Sequence, residues 1–389
     1  GVNVLLILGY GNWLYAPEPR NNEFKDIWAY PYHEAPPPKD PAYQEAYRNY
    51  VRFMVKHFKG RVKYYEVYNE PDGRFTAQEY ADLFLSVVPV IREEDPDAKI
   101  SIGGTHHGLA PFTGEQTAFK RIFEYTQLEK NIFEDADIIG LHPFYNTNPE
   151  SYYYRNYPKY VRQMQKAVKD KGFKGMYQAT ESLWCTKYPP VTYLPFGAQG
   201  ALFLSEIQFA KNLSRAFVMQ LGLDIMPFTC DTIDTQYLSG QSLFRNTFSS
   251  EPVSQVTPQP AYYVLRNLCA VMDGLEPTDL EVETLNKDCE IDQYHFALPG
   301  TGPGSGFMIA LWLPDQSVDY HSGIKTDLKI LNVQAGRVIA IDTLNGFEQE
   351  LNFEELPNEG LLLKNVYVRD YPLMIKVTGT VWIGHLRGQ

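Results

Sequence analysis

The stretch Val62–Asp72 reads VKYYEVYNEPD and contains both a strand and the signal that ends it. Aromatic and β-branched residues favour an extended conformation over Val62–Tyr68. Pro71 cannot continue a central strand, because it has no backbone N–H for the neighbouring ladder. The pattern therefore predicts a strand whose carboxyl end presents the polar side chains of Asn69 and Glu70.

Strand-like runs of this kind alternate with helical segments on both sides of that stretch. The predicted strands are Val2–Leu8, Val62–Tyr68, Lys99–Gly103, Asp137–Leu141, Gly175–Thr180 and Asp224–Phe228. The predicted helices cover Pro41–Lys59, Thr76–Glu94, Glu115–Glu129, Pro158–Lys171, Gly197–Leu221 and Pro260–Met272. Regular alternation implies a parallel sheet with right-handed crossovers.

The arrangement of the loops favours an α/β fold of the (β/α)8 TIM-barrel type, in which the active site lies at the carboxyl ends of the strands. A doubly wound open sheet is the alternative. That fold would usually carry a glycine-rich phosphate-binding turn after an early strand, and the sequence has none there. A barrel of six strands cannot close. We therefore expect an upstream segment or an additional chain to supply the first two strands.

The sequence changes character after residue 272. Short apolar runs are separated by turns rich in Gly, Pro, Asn and Asp, and no helical pattern is evident. The predicted strands are Tyr294–Leu298, Gly306–Leu313, Lys329–Leu331, Arg337–Asp342 and Leu373–Thr378. This pattern is typical of an antiparallel β-sandwich. We expect a catalytic barrel over residues 1–272 and an accessory sandwich over 273–389.

Composition excludes several classes of function. The chain of 389 residues carries a formal charge of −12, which disfavours binding to phosphate backbones and hence a nucleic-acid partner. No apolar run approaches the ~20 residues that span a bilayer, so no membrane association is expected. Aromatic residues make up 14% of the chain and suit stacking against sugar rings. Localisation stays open, with a secreted or periplasmic site slightly favoured over the cytoplasm.

Two glutamates carry the chemistry that the predicted barrel can support. Glu70 follows the strand that ends at Tyr68, and Glu181 closes the strand Gly175–Thr180, three barrel strands later. Hydrolysis of a glycosidic bond needs two carboxyl groups, one that protonates the leaving oxygen and one that attacks the sugar or activates water. Both glutamates are expected at the carboxyl edge of the sheet, where they can act on one bond.

The motifs Asn69-Glu70-Pro71 and Thr180-Glu181 resemble those of the clan A retaining glycoside hydrolases. The Ile100–Gly104 run and the C-terminal sandwich are similar to family 39 and its relatives. The resemblance implies that Glu70 is the acid/base and that Glu181 is the nucleophile. It also implies that Asn69 contacts the sugar 2-hydroxyl. It makes Val2–Leu8 the third strand of a closed barrel.

Further substrate-binding candidates lie near the ends of strands. His142 ends Asp137–Leu141 in the position where the clan often places a His or Tyr near the nucleophile, and Tyr145 follows closely. Trp184 and Trp13 are predicted as platforms on which a sugar could stack. His106, next to a second histidine, is a candidate for lining the cleft, and adjacent residues of an extended segment point apart, so a shared metal is not expected.

The predicted activity is hydrolysis of β-glycosidic bonds in an oligo- or polysaccharide by double displacement. The mechanism needs neither a metal nor an organic cofactor. Two alternatives remain: a transglycosidase that uses the same carboxylates, and a carbohydrate-binding barrel without catalysis. Binding alone would require neither glutamate, so the pair favours an enzyme.

Overall fold

The structure, a computed structural model, describes residues 3–12, 15, 37–106, 117–145, 152–184, 186, 204–228, 242–247, 255–286, 289–298 and 306–382. Up to residue 272 six of the described strands alternate with helices, and four further short strands follow the fourth, fifth and sixth of these. The elements are β1 Leu5–Leu8, α1 Pro41–Phe58, β2 Tyr64–Val67, α2 Ala77–Glu94, β3 Lys99–His106, α3 Thr117–Thr126, β4 Ile138–His142, β5 Phe144–Tyr145, α4 Tyr152–Asp170, β6 Met176–Ala179, β7 Ser182–Leu183, α5 Glu206–Gly222, β8 Ile225–Pro227, β9 Phe244–Thr247, β10 Gln255–Pro258 and α6 Pro260–Met272.

Six of these strands form one sheet in the order β1-β2-β3-β4-β6-β8. Every neighbouring pair is parallel. Each of the six predicted strands overlaps one of them, so the predicted α/β architecture with a parallel sheet is confirmed. Among the described residues β1 and β8 are the edges of this sheet and do not pair with each other. The observed sheet is therefore open, with six strands.

Capping side chains fix the starts of two predicted helices. The Asp40 carboxylate accepts a hydrogen bond from the backbone N–H of Tyr43 at 3.0 Å, ahead of α1. Thr76 and Glu79 form a reciprocal capping box at the start of α2. These side chains satisfy backbone N–H groups that the first helical turn leaves without intrahelical partners.

Two predicted helix starts are wrong. Helix α4 begins at Tyr152 and runs through Pro158, the residue at which the sequence pattern predicts its start. Its early tyrosines are buried against Phe144, with ring centroids 4.7 Å away for Tyr157. Aromatic packing thus compensates for the hydrogen bond that proline removes. Helix α5 begins at Glu206 and not at Gly197, because Ser205 forms a capping box there.

The parallel sheet has an apolar face and a polar face. Side chains at alternate positions, including Val67, Ile102 and Leu141, join the core beneath the helices. Their neighbours on the strands, including Glu66 and Gln178, point to the opposite face. Since both are completely buried, polar groups are enclosed on the inner side of the sheet.

Beyond residue 272 every described element is a strand. They are β11 Glu276–Pro277, β12 Val282–Thr284, β13 Asp292–Ala297, β14 Gly306–Trp312, β15 Ile324–Leu331, β16 Val333–Gln334, β17 Arg337–Asp342, β18 Phe347–Glu350, β19 Glu354–Leu356, β20 Gly360–Val368, β21 Leu373–Thr378 and β22 Val381–Trp382. A six-stranded sheet, β11-β13-β14-β21-β17-β18, and a four-stranded sheet, β12-β15-β20-β19, are both antiparallel. A second apolar core contains side chains from both sheets, as expected for a sandwich. The division into domains at residue 272 stays a prediction.

Strand β14 contributes to both apolar cores. Phe307, Ile309 and Leu311 belong to the core of the sandwich. Met308 and Trp312 belong instead to the core that includes the helices of the parallel sheet. The strand is therefore buried on both faces.

A buried ionic cluster joins helix α5 to the sandwich. Lys211 Nζ lies 2.8 Å from Oδ1 and 3.0 Å from Oδ2 of Asp370, and neither side chain is more than 2% exposed. Arg215 Nε donates to the backbone oxygen of Asp370 at 2.6 Å. Asp370 thus contacts both buried cations, Lys211 through its carboxylate and Arg215 through its backbone oxygen.

Within the described part of the chain, no helix is both long enough and apolar enough to cross a bilayer.

Candidate active site

Glu70 is placed by a strained turn after β2. Tyr68 and Glu70 have φ angles of 66° and 45°, in the left-handed region that residues with a side chain rarely occupy. A short 3₁₀ turn, Pro71–Gly73, follows. On the neighbouring strand, a Cβ on Gly103 would lie 2.5 Å from the backbone oxygen of Tyr68. Glycine at position 103 therefore leaves room for the turn that presents Glu70.

His142 joins the two predicted catalytic glutamates. Its Nδ1 lies 2.9 Å from Oε1 of Glu70 and 3.7 Å from Oε2 of Glu181. One carboxylate oxygen of each glutamate and a ring nitrogen of His142 all lie within 4.8 Å of one another. The imidazole is completely buried, whereas both glutamates are partly exposed. The structure thus brings together three sequence-predicted residues, with the carboxylates on the solvent side.

Three carboxylates determine the charge of the His142 ring. Burial alone would lower the pKa of His142, but Glu181, Glu70 and Glu66 outweigh it and raise the pKa to about 9. The ring is therefore an imidazolium at neutral pH. Its Nδ1–H donates to Oε1 of Glu70, and its positive charge faces the carboxyl groups of both glutamates.

Glu66 lies beneath this group on the inner face of β2. A Cβ on Gly140 of β4 would lie 2.9 Å from its Oε2, so glycine there gives the carboxylate its space. Burial raises the pKa of Glu66 to about 7, and the charge of Glu181 adds to the rise. His142, the backbone N–H of Gly104 and the Thr180 hydroxyl oppose that rise.

Tyr10 reaches the same group from the loop after β1. Its hydroxyl accepts a hydrogen bond from Nδ2 of Asn69 at 3.0 Å. Burial and the charges of Glu181 and Glu70 raise the pKa of Tyr10 to about 12, so the hydroxyl stays protonated at neutral pH. Asn69 is thereby held beside Glu70, and its own Oδ1 is buried without a hydrogen bond.

The remaining predicted residues have different positions. Trp184 is completely buried and stacks on Phe144 with centroids 5.9 Å apart, so it packs as core and offers no open sugar platform. Tyr145 lies in β5, which pairs with β7 directly after Glu181. His106 ends β3 opposite His142 in the backbone register. The side chains of Tyr145 and His106, and the whole of Trp13, lie outside the described residues.

Sequence reasoning missed Glu66 and Tyr10. The sequence does contain a signal for Glu66. It is the charged residue of YYEV, a strand with neighbours on both sides, and a carboxylate buried there needs a partner. Tyr10 has no comparable signal. It lies in a loop of many aromatic residues, and only the fold brings it to Asn69.

The same three side chains, Glu70, His142 and Glu181, are the one group among the described residues that could offer three ligand atoms to a metal ion. Nδ1 of His142 already lies 2.9 Å from Oε1 of Glu70, so a metal ion at this position would have to displace the ring proton and replace that hydrogen bond.

The glycine pair after Ile102 allows His142 to lie where it does. Strand β3 has an irregular register with β4 between Ile102 and Thr105. A Cβ on Gly104 would overlap Nε2 of His142 and lie 2.9 Å from the Thr180 hydroxyl. Neither neighbour can move easily, because both are buried.

Replacing Gly104 by Ala is therefore expected to displace the imidazole and lower kcat/KM by about 100-fold, since a misplacement of about 1 Å can have that effect. Steady-state kinetics on an active glycoside measure it. Gly73→Ala is the matched control, because its Cβ would have nothing within 4 Å. Equal activities of the two variants would contradict this account of Gly104.

Solved structures of other proteins share the fold of this chain, although the sequence comparisons found no match. No family model matches the sequence, and no curated protein does. A family 39 glycoside hydrolase from Bacteroides cellulosilyticus WH2 is similar in structure, with a TM-score of 0.59 and 16% identity over 97% of this chain and 68% of that one. A family 51 α-L-arabinofuranosidase from Bifidobacterium longum gives a TM-score of 0.53 and 10% identity over 85% and 74%.

A conserved exported protein from Bacteroides fragilis is also similar, with a TM-score of 0.53 and 11% identity over 87% of this chain and 70% of that chain. At these identities the similarity shows the fold. The resemblance to family 39 and its relatives, predicted from the Ile100–Gly104 run and the C-terminal sandwich, is thus confirmed at the level of the fold.

Proposed function

We propose that this protein is a retaining glycoside hydrolase that cleaves β-glycosidic bonds in an oligo- or polysaccharide. The observation that carries the proposal is the approach of one oxygen of Glu70 to one of Glu181 within 4.8 Å. Retaining enzymes hold their carboxyl groups about 5–5.5 Å apart, whereas inverting enzymes need about 6.5–9.5 Å to admit a water molecule. The observed separation favours direct attack by a carboxylate.

In the proposed mechanism Glu181 attacks the anomeric carbon while Glu70 protonates the leaving oxygen. A covalent glycosyl-enzyme forms on Glu181. Glu70, now a carboxylate, deprotonates the water that breaks this ester and releases the sugar with its original configuration. His142 lies close to both carboxyl groups. Its positive charge stabilises the negative charge that lies on Glu181 before the first step and on Glu70 after it. Asn69, held by Tyr10, is suited to a sugar hydroxyl.

We further propose that the sheet belongs to a closed eight-stranded barrel. Among the described residues the edge strands of the open sheet, β1 and β8, each pair with one neighbouring strand in this sheet. The inward-facing side chains of Met176 and Met226 are 36% and 38% exposed. Two further strands between β8 and β1, from an upstream segment or another chain, would pair both edges and cover these apolar side chains.

The test is to follow the anomeric configuration of the first product by ¹H NMR. The substrate panel contains aryl β-glycosides and plant, algal and bacterial polysaccharides. It also contains an aryl α-L-arabinofuranoside, because a family 51 enzyme of that specificity shares the fold. We expect a product with the configuration of the substrate. An inverted first product would refute the double displacement. Hydrolysis of the arabinofuranoside alone would show that the protein cleaves α-L-arabinofuranosidic bonds and not β-glycosidic bonds.

A further inference from the structure

A third carboxylate lies directly below the catalytic pair. Glu66 is completely buried in the middle of β2, and its backbone is paired with Ser101 of β3. Gly140 on β4 leaves the space into which its carboxylate extends. The proposed double displacement uses only Glu70 and Glu181, so it gives Glu66 no task.

A buried carboxylate that stays ionised needs a compensating positive charge, because removal from water is costly. The backbone N–H of Gly104 and the Thr180 hydroxyl lie close enough to favour the ionised carboxylate of Glu66, but neither makes a hydrogen bond of ordinary geometry with it. The cation that faces it is His142, whose charge favours the ionised carboxylate. Lys211 and Arg215, the other fully buried cations of the described residues, are held by Asp370 at the sandwich.

We propose that Glu66 is a positioning residue that acts through His142: it keeps the imidazole charged from below and turned with Nδ1 toward Glu70 and Glu181. Three ionisable groups thus surround the ring, with Glu66 on β2, Glu70 after β2 and Glu181 after β6. Burial of the ring opposes its charge. Removal of one carboxylate therefore weakens the imidazolium, and a neutral ring has only one N–H to donate.

The direct test is ¹⁵N NMR of the full chain labelled at histidine, with His142→Gln to assign the resonance. In the unaltered protein we expect the His142 ring to remain protonated at pH 7.5. In Glu66→Gln the midpoint of its titration should fall by about one pH unit or more, since an adjacent charge shifts a pKa by that amount. Ser101→Ala, a buried neighbour on the same face, is the matched control and should leave the midpoint unchanged.

An unchanged midpoint in a folded Glu66→Gln protein would overturn the proposal. Should that variant fail to fold, the unaltered protein still decides, because a His142 ring that is neutral at pH 7.5 also overturns it. Glu66→Asp, which keeps the charge, should retain a protonated ring.

The catalytic consequence rests on the proposed glycosidase function. We expect Glu66→Gln to lower kcat by about 10- to 100-fold with little change in KM, because it disturbs the catalytic groups and not the sugar contacts. Glu66→Asp should recover part of that loss. If no glycoside is hydrolysed by the unaltered protein, the proposed function fails, whereas the NMR titration still tests the role of Glu66.

Discussion

Replacing Glu181 by Gln is expected to lower kcat/KM on the order of 10⁴-fold or more, because the amide cannot form the glycosyl-enzyme. The substitution keeps the shape of the side chain. It also removes one of the negative charges that raise the pKa of His142. Steady-state kinetics on an activated aryl glycoside measure the effect. Glu93→Gln, at an exposed glutamate that pairs with Arg52 on the surface, is the control and should keep full activity.

Azide distinguishes the two catalytic roles more sharply than rates do. In Glu181→Ala the vacated space admits azide, which attacks the sugar directly and gives a glycosyl azide of inverted configuration. In Glu70→Ala the glycosyl-enzyme still forms on Glu181 with a good leaving group, and azide then gives the retained product. Near-normal hydrolysis by Glu181→Ala, or the same anomer from both variants, would exclude the assigned roles.

Replacing Asp370 by Ala is expected to lower the free energy of unfolding by about 3–5 kcal/mol, the usual effect of breaking a buried ion pair. The change leaves Lys211 without its carboxylate partner in a site that is at most 2% exposed. It also removes the oxygen that accepts from the backbone N–H of Val318 at 2.9 Å. Urea unfolding followed by tryptophan fluorescence measures the loss, since Trp312 is buried nearby in β14.

The exposed pair of Lys166 and Asp170 supplies the control for that measurement. Their charged atoms are 2.7 Å apart, but the side chains are 77% and 64% exposed. Asp170→Ala should therefore change the free energy by no more than about 0.5 kcal/mol. The double replacement of Lys211 by Met and Asp370 by Asn should regain part of the loss, because it removes the buried ammonium that Asp370→Ala leaves without a carboxylate, while Arg215 keeps the charges of Asp292 and Asp315. If Asp370→Ala and Asp170→Ala lowered the free energy of unfolding by similarly small amounts, burial would not explain the contribution of the Lys211–Asp370 pair.

The sequence predicts those elements best whose signals are local. Helix α6 begins and ends where Pro260 and the apolar periodicity indicate, and α1 begins at its predicted cap, Asp40. The start of α4 was missed because aromatic packing on Phe144 overrides a local proline rule. The start of α5 was readable, since Ser205 and Gln208 have capping-box spacing, but the apolar pattern upstream obscured it.

The residues of the candidate site also differ in whether a local sequence signal predicts their position. Glu70, Glu181 and His142 follow strands, so the fold type alone predicts that they meet, and they do. Asn69 is placed by a hydrogen bond to Tyr10, and no spacing in the chain connects the two. Trp184 illustrates the opposite error. An aromatic residue beside a glutamate motif suggests a sugar platform, but the Trp184 ring is completely buried and stacks on Phe144.

The double-sided burial of β14 bears on how this architecture can be inherited. An appended module that hangs from a linker can be lost or exchanged between enzymes with little effect on its neighbour. Here Trp312 and Met308 complete the packing of the helical layer, and Lys211 on helix α5 needs a carboxylate from the far side. The two halves of the chain are therefore constrained to change together, and a recombination event between them would have to preserve both surfaces at once.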